Sequence, residues 1–254
     1  MKITSLAVIV SIFTFLNVYS QNESESKIGV FGGLNANFHT IEIKELSNTP
    51  TCNSCYESKG GNGLSLGLIV DFPILKSVSI SIKCGYAVLD GTFQKEFTQL
   101  IVMQDGSPEL AIFSHNIDSR VHEFFLEPTF SVNVIENFYL EAGMRLGRLA
   151  KSDFVQEERL VSPINATFTD GSRVRNVYSG DLPDVNKSQA GIILGACYEL
   201  NFGEESNFAI TPYGSYYFGL TDLTNSLNWK VNSLQFGLAF KILIADSAIS
   251  HHNH

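Results

Sequence analysis

Beyond its first twenty residues the chain has no run of about 18 apolar residues, the least an apolar helix needs to cross a bilayer. It is short of positive charge, with 17 Lys and Arg against 26 Asp and Glu and a net of −9. An acidic chain is a poor partner for nucleic acid. It has four cysteines and a single CxxC pair, so a structural zinc site lacks its other two ligands. No catalytic motif is present. What the chain does have is a period of two. In Leu234-Gln235-Phe236-Gly237-Leu238-Ala239-Phe240-Lys241-Ile242 the even positions are large and apolar and the odd ones small or polar. That is a strand with one apolar and one polar face.

The N-terminus predicts export. Met1-Lys2 is a short basic start, Leu6 to Leu16 is mostly apolar, and Val18-Tyr19-Ser20 precedes Gln21. This is the pattern of a secretory signal peptide cleaved after Ser20. The first cysteine is Cys52, which argues against lipid attachment at the cut. Without Lys2 the chain keeps 16 basic and 26 acidic residues, a net of −10. The expected division is a signal peptide over 1–20, one domain over 21–243 and a tail over 244–254.

Eight segments repeat the even-numbered rhythm: Ile28 to Phe38, Leu64 to Phe72, Val78 to Val88, Phe124 to Val132, Phe138 to Leu149, Gln189 to Phe202, Phe208 to Leu220, and Ser233 to Ile242. Each is about ten residues, the length a tilted strand needs to cross a bilayer. The opposite faces carry Asp71, Lys83, Glu123, Glu127, Glu141, Arg145, Glu199 and Lys241. A soluble sandwich would expose those charges, but the links argue otherwise. Pro73–Lys76, Asn133–Asn137 and Gly203–Ser206 are short, and the links between them are long. Short turns on one rim and long loops on the other describe an all-β, closed, antiparallel up-and-down transmembrane β-barrel in a Gram-negative outer membrane. Eight strands are expected, or ten if Thr98–Met103 and Glu109–Ser114 also cross. Paired strands with even apolar faces need residue numbers that sum to an even value. Sums of 100, 212, 340 and 450 satisfy this for four hairpins.

Phe125-Leu126-Glu127-Pro128, the run Asn137 to Gly147 and Pro212-Tyr213-Gly214-Ser215-Tyr216-Tyr217-Phe218-Gly219-Leu220-Thr221 resemble the outer-membrane protein β-barrel domain family, which includes PorT-type secretion-associated proteins and small OmpX-like barrels. The resemblance covers most of residues 27–243. It implies a barrel, contact with outer-membrane lipid and a role in secretion beside other envelope proteins. It brings no catalytic residues. Such barrels end near an aromatic residue, whereas Leu243 to His254 follow the last strand here.

Cys52 and Cys55, in the first long loop, suit a small local disulfide in an oxidising compartment. Cys84 is expected to face lipid and Cys197 the interior, so they should not bridge. His251-His252-Asn253-His254 is a terminal tail without further ligands, and no metal or cofactor is expected. Ser114-His115, or His122 with a nearby carboxylate, is the one arrangement that would suit a lipid-modifying enzyme, but no fixed constellation supports it. A solute channel is disfavoured, because an eight-stranded barrel has room only for side chains and Phe125, Tyr139, Tyr213 and Tyr217 fill it.

Two sets of residues are the candidates for function. Inside the barrel, Glu123, Glu127, Glu141, Arg145 and Glu199 form an expected charge cluster. A sum near 270 sets Arg145 opposite Phe125 and diagonal to Glu123 and Glu127. Outside it, residues 77–103 and 109–133 flank the turn signal Gln104-Asp105-Gly106-Ser107-Pro108. Far more than a bilayer's span is left over, which predicts a β-ribbon above the membrane. Its tip, Leu100, Ile101, Val102, Met103, Leu110, Ile112 and Phe113, would bind a partner or pack on itself. A similar turn at Thr169-Asp170-Gly171-Ser172 implies an odd sum and therefore a bulge.

Overall fold

A computed structural model describes residues 26–41, 57–103, 106–202, 207–225 and 228–244. The signal peptide, the Cys52–Cys55 pair, the Gly203–Ser206 link, Gln104-Asp105 and the tail after Ile244 lie outside the described residues.

Alternation of β-branched and aromatic residues with small polar ones builds strands β1 (Ser26–Ile41), β2 (Glu57–Leu75), β3 (Val78–Val88), β4 (Gly91–Val102), β5 (Pro108–Ile135), β6 (Phe138–Ser162), β7 (Val174–Asp181), β8 (Ser188–Tyr198), β9 (Leu200–Asn201), β10 (Phe208–Gly219) and β11 (Trp229–Ile244). β1, β2, β3, β5, β6, β8, β10 and β11 pair in that order, and β11 returns to β1, closing an antiparallel ring of eight strands. β4 and β7 are not extra crossings. β4 continues β3 beyond the break at Leu89-Asp90, and β7 precedes β8, so neither makes the barrel ten-stranded.

The even parity of the expected pairings holds, but three of the four offsets shift. Lys27 pairs with Asp71 and Val78 with Val132, sums of 98 and 210 in place of 100 and 212. Phe138 pairs with Tyr198, a sum of 336 in place of 340, while Phe208 pairs with Ile242 as expected at 450. Parity is enforced by which face is buried, whereas the offset depends on the tight turns.

The exterior of the ring is apolar: Val30, Leu34, Leu66, Leu68, Phe130, Leu140, Met144, Leu194, Phe236 and Leu238 are all exposed. Cys84 is exposed and Cys197 buried, both as free thiols. On β5 the apolar exterior runs from Phe124 to Val132. From His122 upward the same face carries His122, Arg120, Asp118 and Asn116, which marks the upper edge of the membrane band.

Five strands continue past that edge as one sheet, the first being the start of β2, where Glu57 to Gly60 pairs with β4. β4 pairs with β5 without slip from Gly91–Ser119 to Val102–Pro108, keeping the sum of 210 set by β3. β5 pairs with β6 as far as Ile112–Ser162, and β6 with β7. The pairing of β5 with β6 shifts by one at His122/Glu123, so β6 carries one extra residue at Ala150. Below it β6 buries Glu141, Arg145 and Leu149, and above it Phe154, Gln156, Glu158 and Leu160. The bulge absorbs that change of phase where the sheet leaves the membrane. Near the tip Arg159 pairs with Val174, an odd sum, and a second bulge lies by Asn176, whose φ is 53°.

Candidate functional site

The interior cluster forms in two layers. In the upper layer the β5–β6 register is 272, not about 270, on both sides of the site, so Arg145 stands across from Glu127 and not Phe125. Arg145 Nη2 is 2.6 Å from Glu127 Oε2 and Nη1 is 3.6 Å from Glu123 Oε1. Arg145 also donates to Gln235 Oε1 at 2.9 Å, and its guanidinium lies over the rings of Phe125 and Tyr217 at 4.1 and 5.0 Å. Its side chain is 1% exposed. Carboxylates and π-faces replace the water that a guanidinium so buried has lost.

Lys83 links this layer to the next, at 3.6 Å from Glu127 and 3.4 Å from Glu141. Its amine lies 4.8 Å from the ring centre of Tyr213. Glu199 does not join Arg145. It pairs with Lys27 at the opposite end, where Lys241 meets Asp71 at 2.6 Å. These two pairs line a cavity of about 280 Å³ behind the short turns. Sequence reasoning placed Asp71, Lys83 and Lys241 on the inner face and left them out of the cluster. Their signal was inward charge of both signs, but their partners lie far away in sequence.

Bulky rings occupy the space the charges leave. At Gly85 a Cβ would come within 2.5 Å of Leu66 O and 2.9 Å of Phe31 Cζ. At Gly191 it would meet Tyr217 Cε2 at 2.2 Å and Phe218 O at 2.4 Å. Glycine on the wall lets a large ring lie across the lumen. Near the extracellular mouth, Trp229 Nε1 donates to His39 Nδ1 at 3.0 Å and Phe93 stacks edge-on against both rings, with centroids at 5.3 and 5.5 Å.

The expected tip residues separate onto two faces. Leu100 pairs with Leu110 on the outer face, and Leu100, Val102 and Leu110 are 62, 74 and 64% exposed, with Ile112 half-exposed beside them. Ile101, Met103 and Phe113 do not share that surface. They turn inward with Phe97 and pack with Ala111, Leu160, Ala166 and Phe168. Pairs summing to an even number keep odd residues on one face and even residues on the other. The covering loop is held by Arg173, which donates to the carbonyls of Leu160, Pro163 and Ala166 at 2.8, 3.0 and 2.9 Å.

Beneath the inner apolar layer Glu158 accepts from Arg175 at 2.7 and 2.9 Å and from Asn176 at 2.6 Å, with His115 at 3.7 Å. Burial pushes the Glu158 carboxyl up, but the hydrogen bonds and charge of Arg175 outweigh it and hold the group below its ordinary range. Burial lowers His115 against the pull of Glu158, with Lys95 and Arg175 adding to the depression.

Ser114 and His115 are not brought together, whereas His122 does lie beside a carboxylate, Asp90. Ser114 faces away from His115 and bonds Gln94 and Asn116 at 3.0 Å each. His122 accepts or donates at Nδ1 with Tyr86 Oη at 2.5 Å, and its Nε2 lies 3.3 Å from Asp90, so both ring nitrogens are taken without a serine. Among the described residues no group of three His, Cys, Asp or Glu side chains could hold a metal ion.

Among solved structures, the chain is similar to Ail, the attachment invasion locus protein of Yersinia pestis, in complex with the heparin analogue sucrose octasulfate. The identity is 14%, the match covers 86% of this chain and 100% of that one, and the TM-score is 0.30. A second Ail structure is 11% identical with the same coverage and a TM-score of 0.29. No curated protein matches the chain. The family described as outer membrane protein beta-barrel domain matches residues 19–225, and the chain belongs to that family.

Proposed function

We propose that this outer-membrane barrel is a binding protein, neither catalytic nor conducting, that engages a partner protein of the envelope or cell exterior through the outer face of its extracellular sheet. The observation that carries this is the Leu100–Leu110 pair. Exposed apolar side chains stand beyond the membrane band on the outer face of a sheet whose inner face packs Phe97, Ile101, Met103, Ala111, Phe113 and Leu160 away. Val161, 42% exposed on the neighbouring strand, extends the patch. β7 ends the sheet and offers the backbone of an exposed edge to an incoming strand. The filled lumen disfavours conduction, and the separation of Ser114 from His115 disfavours hydrolysis. A role beside secretion proteins is the variant that suits the family.

The test is affinity capture from crosslinked membranes, comparing the protein with a Leu100→Ser, Val102→Ser, Leu110→Ser variant. The variant should keep its heat-induced gel shift and lose a captured partner. An unchanged set of captured proteins would overturn the reading. Stable single-channel conductance in planar bilayers would favour a channel instead, and lipid hydrolysis abolished by His122→Ala would favour an enzyme.

A further inference from the structure

The cavity of about 280 Å³ behind the short turns is polar space that the buried charges and rings leave unfilled. It is bounded by Pro73, Leu75 and Lys76 at the β2–β3 turn and by Leu243 near the end of β11. Short turns mark the periplasmic rim, so the cavity belongs to that end of the barrel. It stays open because β3 and β5 place only Ser79, Ser81 and Ser131 there, while long side chains from β1 and β11 run to other walls. Lys27 leaves β1 to meet Glu199 on β8, and Lys241 leaves β11 to meet Asp71 on β2.

The charges of the lining balance: Lys27, Lys76 and Lys241 stand with Asp71, Glu141 and Glu199. An ion of either sign would upset that balance, whereas a zwitterion preserves it. Two buried oxygens beside the ion pairs lack a partner among the described residues, Oδ1 of Asp71 and Oγ1 of Thr211. Thr211 is 2% exposed and, at the sum of 410 kept on both sides of it, stands across from Glu199. A buried acceptor without a donor costs free energy until a donor reaches it. The Lys27 side chain is 23% exposed against 4% for Lys83, so the outer pair can open to the periplasm while the layer above it stays closed. The volume equals that of about nine waters at ~30 Å³ each, which suits an amino acid or dipeptide and is too small for a longer peptide. Cys197 lines the wall as a neutral group, its thiol donating to Glu141 at 3.6 Å, and a thiol is not the reactive form of cysteine.

We propose that this cavity is a periplasmic binding site for a small zwitterion, a free α-amino acid or dipeptide. The ligand's ammonium lies at Asp71 and Glu199 and its carboxylate at Lys27 and Lys241, with the serine hydroxyls of β3 and β5 completing its hydrogen bonds. The site stands at the opposite end of the barrel from the apolar tip and does not depend on the partner face there.

The experiment is calorimetric titration of the full chain in neutral detergent with L-alanyl-L-alanine. Binding should be saturable, and the dipeptide should raise the temperature of the heat-induced gel shift, as a ligand of the folded state does. N-acetyl-L-alanyl-L-alanine, an anion, and L-alanyl-L-alanine amide, a cation, should each bind at least about tenfold more weakly, because each loses one charge-assisted contact. Ser79→Trp, which fills the cavity and leaves both ion pairs in place, should abolish binding and keep the gel shift. If that variant does not fold, the comparison of the three peptides on the wild-type chain decides alone. Leu100→Ser at the tip should bind the dipeptide as wild type does, so loss of partner capture and loss of this site are separable. No saturable binding, equal affinity for the three peptides, or undiminished binding by folded Ser79→Trp would overturn the proposal.

Discussion

Arg145 reaches across the barrel wall to one oxygen of Glu127, with Nη2 at 2.6 Å and Nε at 2.8 Å, while its guanidinium covers the ring of Phe125 at 4.1 Å. Removing it leaves Glu127 and Glu123, both fully buried, facing each other with only Lys83 to compensate. Breaking one partner of such a pair costs about 3–5 kcal/mol. Arg145→Ala should therefore lower the temperature of the heat-induced gel shift. Adding Glu127→Gln should restore part of the loss, and a double variant no more stable than the single one would remove Glu127 from the role of partner.

The outward face was legible because it is uniform. Val30, Leu66, Met144 and Phe236 alternate with inward Phe31, Ser65, Arg145 and Gln235, and burial imposes that alternation wherever the strand is regular. The long reach of β5 and the sheet above the membrane were legible from length and from the turn around Gly106, whose φ is 83°. What was hidden is where the rhythm changes phase. The fifth expected strand stops at Leu149 because Ala150 is a bulge, after which odd-numbered Glu157, Arg159 and Val161 face outward. Partner choice was hidden for a related reason: Lys241 meets Asp71 only through the offsets on either side of β1, and a change of two residues in one turn would separate them.

Deleting Ala150 should be tolerated. The sums are 272 below the bulge and 273 above it, so losing one residue makes the pairing continuous while Arg145 and Leu149 stay inside the barrel and Phe154 and Glu158 stay on the inner face of the sheet. Deleting Asn116 from β5, which has no bulge in that stretch, should instead turn one end of the strand inside out. Limited proteolysis of the extracellular sheet separates the two: the first deletion should remain resistant and the second should be cut rapidly.

In a Cys52→Ser, Cys55→Ser background, a membrane-soluble maleimide should label Cys84 on the folded protein and leave Cys197 unmodified. Cys84 is exposed on the outer wall, while Cys197 is buried inside, 3.6 Å from Glu141. Both should react after heat unfolding in detergent. Equal labelling of the two thiols in the folded state would invert the faces assigned to β3 and β8.

The extracellular sheet should loosen in acid in two steps. His115 is lowered below its ordinary 6.5 in the fold, first by burial, so the unfolded state binds more protons just below that pH and stability is lost as the pH falls from about 6.5. Glu158 is also depressed, so its contribution is complete above about 4.5 and is lost as the pH falls through its lower folded value. Both steps act on the same packed layer, because Arg175 bridges Glu158 to the Phe168 ring at 4.4 Å. Amide protection factors of residues 111–117 and 154–160, taken relative to the intrinsic exchange rate at each pH, should therefore fall below about pH 6.5, and again below about 4.5. His115→Gln should remove the first step and preserve the second. Protection factors in the barrel strands β8 and β10 should hold constant over the first step, since His115 and Glu158 both lie in the sheet above the membrane.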